Sequence, residues 1–480
     1  MTPPTPSGNG LMRQDVTKIV ATLGPSSTES GVIRQLLHAG VNVVRINFSH
    51  GTHEKHAQVI QTVRAIADEL RLPVAILGDL QGPRIRIGVL PEPMELQVGQ
   101  QLTLVHEAQV EQGAGEIPVT YDHIADDVRP GANILINDGL LDLQVDRVEG
   151  ARVHCTVRIG GRLSSNKGIN LPGIEVSAPS LTEKDRTDIT FAIAQDLDYL
   201  ALSFVRRPED IAALRALLPK GMLIVAKIEK DSALERIEEI LQASDAVMVA
   251  RGDLGVELPF ESVPLQQKRI IALAARYGRP VITATQMLES MVEHPRPTRA
   301  EASDVANAIL DGTDAVMLSA ETAAGRYPVL AVEAMRRIAV AAEGARVARG
   351  QGLDRVTPGS ATTEETIAAA AVTAVRMMGA HSLVVFTKSG FSARMMAARR
   401  PDVRIVVLTD QPRTYRQLAL VWGVVPFLVA PAETYQDMLT IARGLLLRHG
   451  FAEAGERILV TAGVPFNIPG TTNLLKVETV

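Results

Sequence analysis

The chain is poor in several things, and each shortage excludes something. Cys155 is its only cysteine, so an intramolecular disulfide and a cysteine-built metal site are both ruled out. Aromatic residues make up only 3% of the 480 residues, so the cores must be built from Val, Ile, Leu, Ala and Met. Neither sign of charge dominates: 49 Lys and Arg face 54 Asp and Glu, for a formal charge of −5. That balance gives no reason to expect nucleic acid or a membrane surface as a partner, and an anionic substrate would have to be held by local cations. No apolar run approaches the length of a membrane span. Residues 1–14 are rich in Pro, Ser and Gly without an apolar stretch, and read as a disordered tail rather than a signal peptide. The lone cysteine sits in an alternating stretch, 153–157, as an inert strand residue. Its isolation fits a reducing compartment, and the expected location is cytoplasmic.

Hydrophobic residues are plentiful, at 46%, and 480 residues exceed one ordinary domain. Eight continuous apolar runs of strand length recur, at 16–23, 41–48, 74–80, 199–205, 223–228, 246–250, 280–284 and 315–318. Helical stretches lie between them, such as 27–39, a stretch opened by Thr182 and Asp185 as a capping box, and 260–277. Continuous apolar strands alternating with helices predict a parallel sheet buried on both faces, and eight such units are the count that closes a (β/α)8 TIM barrel. The expected class is therefore α/β, with the barrel over 15–81 and 178–350. The alternation lapses between 82 and 177, where Gly and short period-2 runs at 101–106 and 134–136 surround Asn137-Asp138-Gly139. This segment is expected to be a small inserted β-barrel domain. A Gly-, Ser- and Thr-rich linker after Gly350 leads to a C-terminal α/β domain within 351–480, with strands at 382–386, 404–408, 425–429 and 457–461.

Barrel active sites lie at the C-terminal ends of the strands. Polar residues gather there: the second strand ends in Arg45, Asn47 and Ser49, followed by His50, the third ends in Asp79, and the fourth carries Ser203. Lys227 and Glu229 follow, then Arg251-Gly252-Asp253, Thr285-Gln286, and Ser319 with Glu321. One such residue is ordinarily a cap or a rim ion pair; convergence from so many strands points to a site. Arg45 and Lys227 supply cations for a phosphoryl or carboxylate group. Glu229 and Asp253, on successive strands, form a pair of hard oxygen ligands suited to Mg²⁺ or Mn²⁺.

At these positions the sequence resembles pyruvate kinase. The resemblance is carried by Ile46-Asn47-Phe48-Ser49-His50-Gly51, Ala226-Lys227-Ile228-Glu229 and Arg251-Gly252-Asp253-Leu254-Gly255-Val256-Glu257. It extends through Ala284-Thr285-Gln286-Met287-Leu288-Glu289-Ser290-Met291, 295–301 and 317–322, and runs from about residue 16 to the C-terminus. It implies phosphoenolpyruvate and ADP as substrates, with pyruvate and ATP as products. It places Arg45, Ser203 and Lys227 on the substrate phosphate, Lys227 on the phosphoryl group in flight, and Glu229 and Asp253 on the metal. Backbone at Gly252 and Asp253, with Thr285, would hold the substrate carboxylate. Thr285 and Ser319 would belong to the network that protonates the enolate. His50, Arg86 and Lys167 would bind the nucleotide beneath the inserted domain acting as a lid, and Asp138 would either face it or serve the hairpin turn. In the C-terminal domain, the loop Thr387, Lys388, Ser389, Gly390 and Ser392 resembles one that grips a phosphorylated allosteric effector. Read without the family, the same loop would be a helix capped by Ser389. A homotetramer is implied by the resemblance alone.

The third-strand motif departs from the common pattern. It reads Gly78-Asp79-Leu80-Gln81-Gly82-Pro83-Arg84-Ile85-Arg86. Many relatives carry Thr-Lys at the positions of Leu80 and Gln81, and Glu, associated with K⁺ dependence, at Arg84. A branch with Leu-Gln and Lys there does not require K⁺, and this sequence is similar to that branch. K⁺ is therefore expected to be dispensable: Arg84 would replace it, leaving the monovalent site of Asn47, Ser49, Asp79 and Leu80 in doubt. Two other readings compete, a Schiff-base aldolase using Lys227 and a silent metabolite sensor. The Glu229–Asp253 pair argues against the first, and retention of Lys227, Glu229, Asp253 and Thr285 together against the second.

Overall fold

The computed structural model describes residues 16–111, 115–348, 362–463 and 472–480. The expected tail 1–14 and nearly all of the expected linker after Gly350 lie outside the described residues. Eight strands, β1 (Lys18–Thr22), β2 (Val43–Asn47), β3 (Ala75–Asp79), β4 (Tyr199–Leu202), β5 (Leu223–Ile228), β6 (Ala246–Ala250), β7 (Val281–Ala284) and β8 (Ala315–Leu318), pair in sequence order into a closed parallel barrel. Their residues alternate between two cores. Val20, Val43, Leu77, Tyr199, Val225, Met248, Ile282 and Met317 fill the interior, while Ile19, Val44, Ile76, Leu200, Ile224, Val247 and Val316 pack outward against the helices. Burial on both faces explains why these strands are unbroken apolar runs. Each fully buried Ile, Leu or Val side chain contributes about 1.5–3 kcal/mol.

The helices begin where local chemistry lets them. The capping box of Thr182 and Asp185 opens the helix Glu183–Ala194. The stretch expected from residue 27 becomes helical only at Ser30, because the Ser27 hydroxyl accepts the Gly24 N–H in a preceding turn. The stretch expected from 260 starts at Val263, with Pro264 in its first turn.

The inserted segment forms a six-stranded mixed sheet around its own core, running in space from Ile169–Asn170 through 133–136, 141–149, 152–159 and 101–106 to Ile117–Val119. Single-residue bridges from Arg86 to Gly168 and from Ile87 to Val119 join its two edges. Cys155 is buried in it, and burial pushes its thiol up to about 12. The domain is fastened at both crossings to the barrel. Gly82 N–H donates to Asp185 (3.1 Å), and Arg206 donates to the carbonyls of Val176 and Ala178. Gly82 takes φ +68, and a Cβ there would meet Phe204 at 3.0 Å and Ser203 at 3.1 Å, so glycine is needed at this crossing.

The C-terminal sheet has the order Val424–Leu428, Arg404–Thr409, Ser382–Phe386, Arg457–Ala462 and Leu474–Thr479. The first four strands, those expected from the sequence, are parallel. The fifth, antiparallel at the edge, was not foreseen, since its half-exposed Leu-Leu-Lys-Val-Glu-Thr carries charge inside a short run. The domain closes the base of the barrel: Ala419 and Leu420, in a short 3₁₀ turn, are buried within the interior core. Tyr199, at the start of β4, donates its hydroxyl to the Gln417 carbonyl at 2.7 Å. Arg416 binds Asp198 and Asp196, Arg400 binds Asp314, and the guanidinium of Arg400 stacks over Trp422. Among the described residues, no helix is long and apolar enough to cross a membrane.

Candidate active site at the barrel mouth

Strand register sets the rim. Asn47 pairs with Asp79, and Asp79 with Ala201, so β2, β3 and β4 end at one level. Lys227, the penultimate residue of β5, reaches a point between three strand ends. Its Nζ lies 2.9 Å from Glu229 Oε1 and 3.2 Å from Asp79 Oδ1, and it donates to Ser203 Oγ at 2.7 Å. Burial favours the neutral amine, but Asp79 and Glu229 outweigh it and hold the ammonium above its ordinary range. Arg45 donates through Nε to Asp79 Oδ2 (2.6 Å) and through Nη1 to Thr22 Oγ1 (3.0 Å). Two cations and a fully buried carboxylate thus share one wall.

Glu229 accepts the Phe204 N–H at 2.8 Å. Its carboxyl is pushed up by burial, relieved in part by Lys227 and pushed further by Asp253. The Lys227 ammonium is divided between Asp79 and Glu229, so it compensates Glu229 only partly, and the Asp253 charge is left over. A bound divalent cation would supply the missing compensation, so the donor set fits one. Glu229 and Asp253 belong to no group of three or more His, Cys, Asp or Glu placed to hold a metal among the described residues. Such a pair matches Mg²⁺, which keeps water and substrate oxygens as its other ligands.

On the opposite side, Thr285 and Gln286 follow β7 with φ +69 and +54. For a β-branched residue this is a true outlier, costing about 1–3 kcal/mol, and such strain collects at functional sites. The Thr285 hydroxyl accepts the Gly252 N–H at 2.8 Å and donates to the Ala284 carbonyl at 2.6 Å. Arg251 grips the Thr285 carbonyl at 2.9 Å while paired with Asp304 at 2.8 Å. Glu321 accepts the N–H groups of both Leu288 (3.1 Å) and Ser319 (2.6 Å), tying the loops after β7 and β8 together, and burial pushes its carboxyl up. Thr22 has no sequence signal of its own, and Arg251, expected at the rim without a role, holds the Thr285 carbonyl.

The remaining expected residues are spread around this centre. Asn47 Oδ1 accepts the Ser49 N–H, and the Leu80 carbonyl accepts the Ser203 hydroxyl. His50 is exposed on the rim, its carbonyl bonded to His56. Arg86 and Lys167 lie together in the inserted domain, where Arg86 donates to the Asn166 carbonyl and Ile87 N–H to that of Lys167. A cleft between the domains is lined by Arg84, Asp138, Phe204, Lys230 and Asp253. Lys230 is paired with Glu257. Arg84 is exposed, makes no ion pair among the described residues, and is not a partner of Asp79, which is held by Arg45 and Lys227. Asn137 and Asp138 both have positive φ (+55 and +57) in the hairpin turn, so Asp138 serves the turn and also lines the cleft.

In the C-terminal domain the loop after Ser382–Phe386 turns on the Thr387 hydroxyl, which accepts the Gly390 N–H at 3.0 Å. The helix Phe391–Ala398 has Gly390, at φ +74, as its N-cap and no side-chain cap, so Ser389 does not cap it. Lys388 is paired with Asp410, and Ser392 with Thr472.

Comparison with known proteins agrees with this arrangement. The profile described as "Pyruvate kinase, barrel domain" matches residues 14–332, and "Pyruvate kinase, alpha/beta domain" matches 365–478. A pyruvate kinase of Staphylococcus haemolyticus is 44% identical over 470 residues, covering 97% of this chain and 80% of that protein. Pyruvate kinase 2 of Synechocystis sp. is 45% identical over 481 residues, covering 97% and 79%. A Staphylococcus aureus pyruvate kinase is 44% identical over 470 residues, with the same coverage as the first. The closed barrel, the charged mouth and these matches agree, and the chain belongs to the pyruvate kinase family of phosphotransferases.

Proposed function

We propose that the chain moves the phosphoryl group of phosphoenolpyruvate to ADP at the barrel mouth, giving pyruvate and ATP. The observation that carries this is the buried Lys227 ammonium, fixed by Asp79, Glu229 and Ser203 where β3, β4 and β5 end. Phosphoryl transfer needs positioning and charge neutralisation more than covalent chemistry, and a held ammonium is suited to charge that spreads over the phosphoryl oxygens. Arg45 and Lys227 bind the phosphate, with Ser203 orienting Lys227. Backbone N–H groups near Gly252 and Asp253, with Thr285, bind the carboxylate. Glu229 and Asp253 would hold Mg²⁺ or Mn²⁺, which when bound neutralises phosphoryl charge. Thr285 and Ser319 hold the hydroxyl and water network that delivers a proton to the enolate. His50, Arg86 and Lys167 bind the nucleotide from the two sides of the cleft, and closure of the inserted domain excludes water.

The same reading makes K⁺ dispensable. Asp79 already has two fixed cations, and the unpaired Arg84 guanidinium adds a permanent positive charge to the cleft lined by Asp138 and Asp253. The loop 387–392 takes a phosphorylated activator, and the enzyme works as a cytoplasmic homotetramer. A coupled assay of pyruvate formation from phosphoenolpyruvate, ADP and Mg²⁺, with and without K⁺, tests the reading. Absence of ADP-dependent pyruvate formation overturns it.

A further inference from the structure

We infer that Arg251 is a positioning residue for the proton-transfer half of the reaction, acting through the backbone of Thr285. This inference rests on the assignment of the Thr285 hydroxyl to enolate protonation.

Thr285 adopts a conformation that its branched side chain disfavours, φ +69, and the next residue repeats it. Something must hold it there. Arg251 Nη2 donates to the Thr285 carbonyl at 2.9 Å, and Asp304 holds Nη1 of the same guanidinium at 2.8 Å. The guanidinium is largely buried, with 11% of its side chain exposed, and Gln267 lies 3.4 Å from Nη1. Arg251 immediately precedes Gly252, whose N–H rests on the Thr285 hydroxyl at 2.8 Å. The side chain of Arg251 and the main chain of its neighbour therefore grip the two ends of one residue. One fixes the direction of the Thr285 carbonyl; the other fixes the hydroxyl. With the carbonyl released, the strained peptide can turn toward an ordinary conformation and carry the hydroxyl off the Gly252 N–H. Arg251 pairs with neither Glu229 nor Asp253; its polar contacts are Asp304, Gln267, Met287 and the Thr285 carbonyl.

The step affected is protonation of the enolate left by phosphoryl transfer: the C3–H bond forms as an O–H bond of the donor in the hydroxyl and water network breaks, and the enolate oxygen becomes the pyruvate carbonyl. In reverse, pyruvate methyl protons exchange with solvent. That exchange, followed by NMR in D₂O with pyruvate, MgATP and the intact enzyme, is the probe. Arg251→Met should slow it about tenfold or more, since small misplacements of a reacting group cost up to 10²-fold. The KM for phosphoenolpyruvate should rise by less than the exchange rate falls, because Thr285 also holds the carboxylate whereas Arg45 and Lys227, on the phosphate, are undisturbed. Arg251→Lys, which keeps a donor to the carbonyl, should recover part of the loss. In a Thr285→Ala background, Arg251→Met should add less than about threefold. Should Arg251→Met fail to fold by circular dichroism, Asp304→Asn takes its place, slowing exchange in the wild-type background and not in Thr285→Ala. Independent, multiplying effects of Arg251 and Thr285 would overturn the inference, as would a Lys variant no better than Met. If Thr285→Ala alone leaves exchange unchanged, the hydroxyl has no part in protonation, and both that assignment and this inference fall.

Discussion

Arg45 Nε and Asp79 Oδ2 stand 2.6 Å apart on adjacent strands, with Lys227 on the other oxygen of the same carboxylate. Burial by itself raises the Asp79 carboxyl, but Lys227 and Arg45 more than reverse it, and it lies below its ordinary 3.8. The folded protein therefore holds this proton less tightly than the unfolded chain. The associated stability is fully present above the ordinary value and is lost as pH falls through the lower folded one. Asp79→Asn should flatten the acid limb of a plot of urea midpoint against pH. An acid limb identical to wild type would show that this ionisation contributes nothing.

Lys227→Ala should lower kcat by about 10²–10³ or more, because it removes a cation aimed at transition-state charge. It also leaves Glu229 and Asp79 with less compensation, so a lower Tm is expected alongside. Near-normal turnover in steady-state assays would remove Lys227 from the mechanism.

Glu229→Gln and Asp253→Asn should each shift Mg²⁺ activation to higher concentration, by about tenfold or more, as expected for a two-carboxylate site that loses one ligand. Glu229→Gln also relieves like-charge repulsion with Asp253, so its metal-free form should not be less stable than wild type for that reason. Superimposable Mg²⁺ titrations would refute the assignment.

Turnover in a tetramethylammonium buffer free of K⁺ and NH₄⁺ should rise less than about tenfold when KCl is added, a limit equivalent to 1.4 kcal/mol. Arg84→Glu should make activity respond to K⁺, by placing a carboxylate in the cleft beside Asp138 and Asp253. A large K⁺ activation of the unmodified enzyme would defeat the proposal.

Lys388 is paired with Asp410, which competes with any phosphate for the ammonium. Asp410→Asn should lower the half-activating concentration of fructose 1,6-bisphosphate, a sugar monophosphate or AMP by about three- to tenfold, and Lys388→Glu should abolish activation. Activation curves unaffected by either change would leave the loop as a simple helix start.

The sequence revealed most where one residue type has one cause. Eight doubly buried strands leave continuous apolar runs, and their C-terminal ends are the natural place for Arg45, Lys227 and Glu229. Contacts between distant segments left no such trace. Nothing local says that Asp304 steadies Arg251, or that Glu321 links Leu288 to Ser319, because each depends on how neighbouring loops meet. Arg84 illustrates the same point: that it lines the cleft with Asp138 and Asp253 and makes no ion pair with Asp79 was not written in the motif. The helix at Phe391 starts on Gly390 in a left-handed conformation rather than on Ser389, because the turn closes on the Thr387 hydroxyl.

The burial of Ala419 and Leu420 in the barrel's interior core bears on biosynthesis. Gln417, which receives the Tyr199 hydroxyl, follows that tyrosine by 218 positions. When the ribosome has finished β8, at Leu318, it has not yet made the residues that stopper the base. The nascent barrel must wait for roughly another hundred residues, at about 5–20 per second, with Tyr199 and its apolar neighbours open at one end. A chain truncated after the barrel would keep that opening permanently and would be drawn to chaperones or to its own copies.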